Sequence, residues 1–498
     1  MKAGYIPKDQ RKKILLLTDD IRVHSGVGQI GRELIVNTAH HYNWVQLAGS
    51  IQHPEKGKLI DLSENLNQEL NIPDSSVMLY PCDGYGDVRL LRSVIQREKP
   101  DAIFLITDPR YFMWLFQIEN EIRKNIPILY LNIWDSPFPY PLWNKSFYKS
   151  CDLLMAISKQ TKNINQVVLG EVPKLDLDKE LSKNQTRKPN TRSNKVNISF
   201  LPHGLNEKIF YPIVEPNPGF DAFKKSIFKD KEFDFVLFFN SRNIRRKQIP
   251  DTILAWRLFL DKLTPKQAEK CAFILHTEAV SEHGTDIPAT IDYLVPDYGH
   301  NVMLSLNKLD SQHMNYLYNV ADAQILLTSN EGWGLSLTEA LLTGTPFIAN
   351  VQGGMQDQMR FEDENGKWLD FNIDFPSNHR GTYKKHGEWA SPVFPSNISI
   401  QGSPVTPYIS DDRCSPEDAA ERIFEMFSLS KEERERRGML GREWAVGDEA
   451  NFTSEKMGNK FIKDVDYTLE NFIPRETFSL TNCTEETLTK SINHQLIY

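Results

Sequence analysis

The chain has 498 residues, 40% hydrophobic and 25% charged, with a net charge of −8 and a pI near 5.9. That length exceeds one ordinary domain and predicts two or three. The acidic balance argues against binding nucleic acid by bulk charge, and no apolar run nears the roughly 18 residues of a membrane span.

Five scattered cysteines (Cys82, Cys151, Cys271, Cys414, Cys483) make no CxxC or Cys/His cluster. They read as reduced thiols of a cytoplasmic protein, not as disulfides or a zinc site. The opening MKAGYIPKDQRKK has no apolar signal core.

Short apolar runs come first: 13–20, 44–50, 76–81, 101–107 and 126–135, then 152–158 and 196–202. Helix-like segments such as 29–42 and 111–125 separate them. Continuous apolar strands alternating with helices predict a parallel sheet covered on both faces. A Pro- and Gly-bearing connection follows at 212–223, and the alternation restarts at 233–241, 271–279, 301–307, 323–329 and 345–351. The fold expected is α/β, two doubly wound domains facing across a cleft. The bounds expected are 1–210 and 231–470, with a linker at 211–230 and a C-terminal tail at 471–498 that could cross back to the first domain.

Two segments break the alternation. Residues 183–195 carry five basic residues and no acid, the pattern of a solvated surface loop. Residues 371–408 are rich in Pro, Ser, Gly and aromatics, lack helix or strand period, and read as an insertion.

The first strand leads into TDDIRVHSGVGQIGREL, where Gly26 and Gly28 precede a helix. Glycines there let backbone approach a ligand and present helix N–H groups to it. Gly26, Gly28 and Gly31 fall at the G-x-G-x-x-G spacing, but the turn is longer than the dinucleotide one. No acid plainly ends the second strand, so a ligand-free strand–helix turn stays open. FFNSRNIRRKQ places Arg242, Arg245, Arg246 and Lys247 just past a strand, where they suit a diphosphate clamp or a solvated basic loop. SNEGWGLSLTEALLTG places Glu331 and Glu339 around a glycine turn that opens a helix; Ser336 and Glu339 also match a capping box. The DxD pairs Asp176/Asp178 and Asp464/Asp466 follow no apolar strand. His24, His203 and His276 lie near strand ends and could face the cleft, though a lone histidine is more often structural.

Taken together, these motifs resemble the retaining nucleotide-sugar glycosyltransferases of GT-B fold, family 4 type. PHGLNEKIFYP is similar to the family's interdomain segment, FNSRNIRRKQ to its diphosphate loop, and SNEGWGLSLTEALLTGTPFIANVQGG to its E-x7-E signature. The resemblance is strongest over about 196–370. It implies a nucleoside-diphosphate sugar donor and a hydroxyl acceptor (glycan, glycolipid or other), with no cofactor and no metal. Gly26 and Gly28 would bring backbone to the donor phosphates, and Arg242 and Lys247 would neutralise the leaving diphosphate. Glu339 would take the ribose hydroxyls and Glu331 those of the transferred sugar. N–H groups near Gly334 and Leu335 would hold the phosphate.

The chain departs from the pattern at Trp134-Asp135, where the family often has His-Asp, and at His203, where it usually has Asn. Asp135 and His203 are cleft candidates. Insertion 371–408 could line the acceptor side. The basic stretch 183–195 is compatible with peripheral membrane contact, and the acidic pI disfavours nucleic acid, including a modified DNA base, as acceptor. A non-catalytic nucleotide-sugar-binding subunit and an epimerase or hydrolase on the same fold are the alternatives.

Overall fold

The computed structural model describes residues 4–23, 25–171, 174–181, 195–214, 216–229, 231–373, 375, 377–402 and 406–475. The expected apolar runs become strands in order: β1 (Lys12–Asp19), β2 (Tyr42–Ser50), β3 (Ile60–Asp61), β4 (Val77–Asp83), β5 (Ala102–Ile106), β6 (Ile128–Asn132), β7 (Leu153–Ala156), β8 (Lys174–Asp176) and β9 (Val196–Phe200). They make a nine-stranded sheet ordered β3-β4-β2-β1-β5-β6-β7-β9-β8, in which only β3 pairs antiparallel. The second half supplies β10 (Phe235–Asn240), β11 (Cys271–His276), β12 (Val302–Ser305), β13 (Ala323–Leu326), β14 (Phe347–Asn350) and β15 (Ala390–Val393). These form a six-stranded parallel sheet ordered β12-β11-β10-β13-β14-β15.

Both faces of these sheets are covered, which is why the strands read as unbroken apolar runs. Ile14, Leu15, Leu16 and Leu17 have no exposed surface, and a fully buried aliphatic side chain contributes about 1.5–3 kcal/mol. Strand order reverses between β1 and β5 in the first sheet and between β10 and β13 in the second. Such a switch point leaves a crevice at the C-terminal strand ends. The two units form the GT-B architecture.

Three details differ from the sequence expectation. The segment 111–125 is not one helix but short turns, among them Pro109–Phe112, Met113–Phe116 and Glu119–Ile122. The insertion 371–408 is not without strands: it contains edge strand β15 and, running past it, an antiparallel hairpin of β16 (Pro395–Gln401) and β17 (Ile409–Cys414). Strand period is weak there because β16 is largely exposed and the buried positions Ser410, Asp411 and Asp412 of β17 are polar. Finally, the chain returns to the first domain before 471. Helix Ser454–Glu470 lies on helix Gly26–Thr38, with Phe461 stacked on Trp44 at 5.9 Å and tilted against Phe104 at 5.0 Å. Gly458 permits the approach, since a Cβ there would sit 2.7 Å from Asn37. Residues 476–498 and most of the basic stretch 183–195 lie outside the described residues.

The domains touch directly. The backbone N–H of Lys159, at the start of helix Lys159–Leu169, donates to the Asp357 carboxylate at 2.7 Å. Gln352 Nε2 donates to the Asp135 carbonyl at 3.2 Å. Gly332 packs so closely on the first domain that a Cβ would meet Ile157 Cδ1 at 2.7 Å and the Ile133 carbonyl at 2.9 Å.

Candidate active site

The site forms where the two switch points face each other. After β10 the chain runs through Arg242–Ile244 into a tight turn, Arg245–Lys247. Asn243 pins this loop, donating to the carbonyls of Glu278 and Thr285 at 3.1 and 2.7 Å and accepting from Thr285 N–H at 3.0 Å. Gln248 then takes a left-handed conformation (φ 52°), which aims Lys247 inward before helix Ile249–Leu260 begins.

After β13 the loop Thr328–Gly334 meets that turn. The Arg246 carbonyl accepts from Ser329 N–H at 2.8 Å and Thr328 Oγ1 at 2.9 Å. Lys247 Nζ pairs with Glu331 Oε2, and Arg246 reaches the same oxygen at 3.0 Å. Burial opposes the Glu331 charge, yet Lys247 and Arg246 outweigh it and hold the pKa at about 2. Burial in turn pushes the Lys247 ammonium below its usual range, with Glu331 opposing. Glu331 N–H donates to Gln352 Oε1 at 2.8 Å, tying this loop to the one after β14.

Glu339 has a different environment. Its Oε2 accepts from Tyr318 O–H at 2.5 Å and Asn240 Nδ2 at 3.1 Å. Burial raises its pKa to about 7, the two neutral donors only partly offsetting it. The capping-box alternative is not what forms: Gly334 (φ 88°) caps helix Leu335–Thr343 with no side-chain bond, and Ser336 lies inside the first turn.

Across the cleft, Ser25 caps helix Gly26–Thr38, accepting from Gly28 N–H at 2.9 Å. A Cβ on Gly28 would crowd the Asp20 carbonyl and Ser25 Oγ at 3.0 Å, so that glycine serves the turn itself. Gly26 faces the second domain: a Cβ there would lie 3.5 Å from Leu335 Cδ1. The two helix N-termini therefore confront each other.

Asp135, partly buried after β6, has its pKa raised to about 6 by burial, with Arg246 opposing and Glu331 adding to the rise. Trp134 fills the space beside it, under the Arg110 guanidinium at 5.3 Å, its N–H donating to the Ser136 carbonyl at 2.9 Å. His203 is buried edge-on to Trp333, ring centroids 6.2 Å apart, and desolvation lowers its pKa to about 3, so it is neutral near pH 7. His276 bonds Ser305 at 2.9 Å, and His24 lies outside the described residues. Of the DxD pairs, Asp178 and Asp464 share Lys460, while Asp466 bonds Tyr42 and His41.

The structure thus gathers Lys247, Glu331, Glu339, Gly334, Leu335, Gly26 and Asp135 about one cleft. Arg242 is exposed at the loop edge, and it is Arg246 that joins Lys247 at Glu331. Sequence reasoning missed Tyr318 and Asn240 as partners of Glu339, although a polar Asn ending an apolar strand marks the cleft end. It also missed the hairpin. Ser410 N–H donates to Ser136 Oγ at 2.8 Å, Asn350 Nδ2 donates to the Asp412 carbonyl at 2.8 Å, and Tyr408 O–H reaches the Tyr140 carbonyl at 3.3 Å. The hairpin therefore bridges both domains at the cleft, and burial raises the Asp412 carboxyl to about 6.

This arrangement defines a two-domain α/β protein whose cleft carries an ion-paired glutamate and a neutral-partnered one at a single switch point. No family model matches the sequence, and no curated protein does. Solved structures match the fold. A sucrose-phosphate synthase from Thermosynechococcus elongatus superposes with a TM-score of 0.61 at 14% identity, over 92% of this chain and 100% of that one. A trehalose-6-phosphate structure from E. coli bound with UDP-2-fluoro glucose gives 0.59 at 13% identity, over 93% and 100%. A glycosyltransferase from Rickettsia africae gives 0.57 at 14% identity, over 93% and 100%. No described helix is long and apolar enough to cross a membrane.

Proposed function

We propose that the protein is a retaining glycosyltransferase that moves a sugar from a nucleoside-diphosphate sugar to a hydroxyl acceptor. The observation that carries this reading is the contrast between the two glutamates. Glu331 sits among cations, and Glu339 among neutral hydrogen-bond donors at a carboxyl that is half ionised near pH 7. A diphosphate needs cations and N–H groups; a ribose needs a carboxylate accepting from hydroxyls.

In this reading both bonds that Glu339 accepts reach Oε2, leaving Oε1 to accept from the ribose. Lys247, with Arg242 from the loop edge and the N–H groups after Gly334, stabilises charge as the anomeric bond breaks and the diphosphate leaves. The leaving oxygen takes the proton of the acceptor hydroxyl as the new bond forms on the same face, so no protein base is required. Arg246 keeps Glu331 oriented towards the sugar hydroxyls. The neighbour bound with UDP-2-fluoro glucose supports a donor of this class. The hairpin and Asp135 line the acceptor side.

The test is mass spectrometry of products formed by the purified chain from a panel of nucleotide sugars with glycan, lipid and DNA acceptors. A sugar-transfer product that disappears in Glu339→Ala and Lys247→Ala supports the reading. Failure to bind any sugar nucleotide overturns it, and binding without transfer makes the chain a non-catalytic subunit.

A further inference from the structure

We propose that the protein has a second carbohydrate site, a cavity of about 510 Å³ between the domains that the donor-cleft residues do not line. One wall is first-domain: helix Lys159–Leu169 and the end of β9 at Phe200. The second is the segment Trp368–Phe371 of the other domain. The third is the crossing at Ala450–Asn451 and the start of helix Ser454–Glu470.

The chemistry of the walls selects the ligand. Five lysines and four carboxylates line the cavity, so the wall is nearly neutral and offers neither an anion nor a cation a net field. The charges are already paired: Lys162 with Asp176 at 2.9 Å and Asp178 at 2.6 Å, Lys460 with Asp178 at 2.9 Å, and Lys159 with Asp370 at 3.1 Å. Lys159 and Lys460 spend all three hydrogens on protein acceptors, whereas the Lys162 ammonium, with two partners, keeps one, and the carboxylates it pairs with keep lone pairs. A hydroxyl that both donates and accepts fits between them, whereas an ion must break a pair.

The remaining wall is aromatic. Phe200 stands edge-on to Trp368 with centroids 6.0 Å apart, Lys159 covers one face of the Trp368 ring, and Phe371 also lines the cavity. Flat apolar faces next to alternating donors and acceptors suit a sugar ring, apolar on one face and hydroxylated at its rim. The volume falls within the range of small-molecule pockets and accommodates a mono- or disaccharide.

Because its walls belong to both domains, the cavity exists in this form only when they are closed. Lys159 seals the seam, donating to the carbonyls of Trp368 at 3.2 Å and Leu369 at 3.1 Å, with Nζ 3.9 Å from the Trp368 ring centroid. A sugar bound here binds the closed arrangement better than an open one and shifts the population towards it. The site stands independently of the donor-cleft reading.

The experiment is calorimetric titration of the full chain with maltose, methyl α-glucopyranoside and inorganic phosphate, in the presence of saturating uridine diphosphate and in Lys247→Ala. At least one sugar is expected to bind with a Kd of about 1 mM or tighter. Trp368→Leu and the milder Phe371→Ala are expected to weaken it at least tenfold at unchanged circular dichroism, and Lys247→Ala to leave it intact. Hydrogen exchange at 159–166 and 368–372 is expected to slow on binding. Phosphate binding without sugar binding, no sugar binding at all, or sugar binding lost in Lys247→Ala but kept in Phe371→Ala overturns the inference.

Discussion

The main-chain N–H of Lys159 in the first domain is held at 2.7 Å by the side chain of Asp357 in the second, so a helix capped by its own Ser158 also bonds the other domain through its first turn. A carboxylate at a helix N-terminus satisfies an orphan donor and meets the positive end of the helix dipole. Here it is also a latch. Burial raises the Asp357 carboxyl to about 7, the Lys159 bonding opposing the rise. Asp357→Ala is expected to enlarge the radius of gyration in small-angle scattering and to lower kcat/KM, while Asp357→Asn, whose side-chain oxygen still accepts, keeps the compact form. An unchanged scattering profile in Asp357→Ala would show that other contacts hold closure.

Arg242 and Arg246 separate by exposure and partner. Arg242 is exposed, so Arg242→Ala is expected to change stability by no more than about 0.5 kcal/mol while lowering turnover about 100-fold. Arg246→Ala and Lys247→Ala each remove a cation from buried Glu331. Losing one partner of a buried pair costs about 3–5 kcal/mol; the remaining cation keeps Lys247→Ala near the lower end, and Arg246→Ala, whose side chain is 39% exposed, falls well below it. Denaturant melts and steady-state rates on the three variants check the split.

Glu339 predicts a pH dependence with a defined sign. Its folded pKa of about 7 lies above the 4.5 of an ordinary glutamate, so the folded state holds a proton that the unfolded chain has released. Stability supplied by that proton is full below about 4.5 and is lost as pH rises through 7. Donor affinity runs the other way, since the carboxylate is the form that accepts from ribose: about a tenfold gain is expected between pH 6 and 8. Tyr318→Phe removes a donor that favours ionisation and is expected to move the profile to higher pH; Glu339→Gln is expected to flatten it. A flat wild-type profile in fluorescence titrations would separate Glu339 from the donor.

Two cleft glycines differ in tolerance. A Cβ at Gly26 meets Leu335 at ordinary contact distance, whereas one at Gly332 drives into the Ile133 backbone and Ile157. Gly26→Ala is expected to retain activity and closure. Gly332→Ala is expected to keep both domains folded by circular dichroism but to raise the radius of gyration and depress kcat/KM about tenfold or more.

Much of this was written locally. Each long apolar run became a strand because a doubly covered parallel sheet leaves no polar face to interrupt the pattern. The turns holding Lys247 and Glu331 could be read because they follow strand ends at a switch point. What could not be read depends on distant pairing. Tyr318 and Asn240 reach Glu339 from 21 and 99 residues away. Arg246 rather than Arg242 turns inward because of one tight turn ending in a left-handed Gln248. Ser410 meets Ser136 across 274 residues, through a hairpin whose exposed positions carry no apolar rhythm.

The helix Ser454–Glu470 also sets the order in which the molecule is made. Trp44 and Phe104 lie against Phe461, a residue the ribosome adds more than 350 positions after Phe104. The first domain thus emerges with an aromatic face that stays uncovered until more than 350 further residues have been added. At 5–20 residues per second that interval is on the order of half a minute. The N-terminal half is therefore the last to be completed, and a chain stopped before Ser454 leaves its oldest part unfinished.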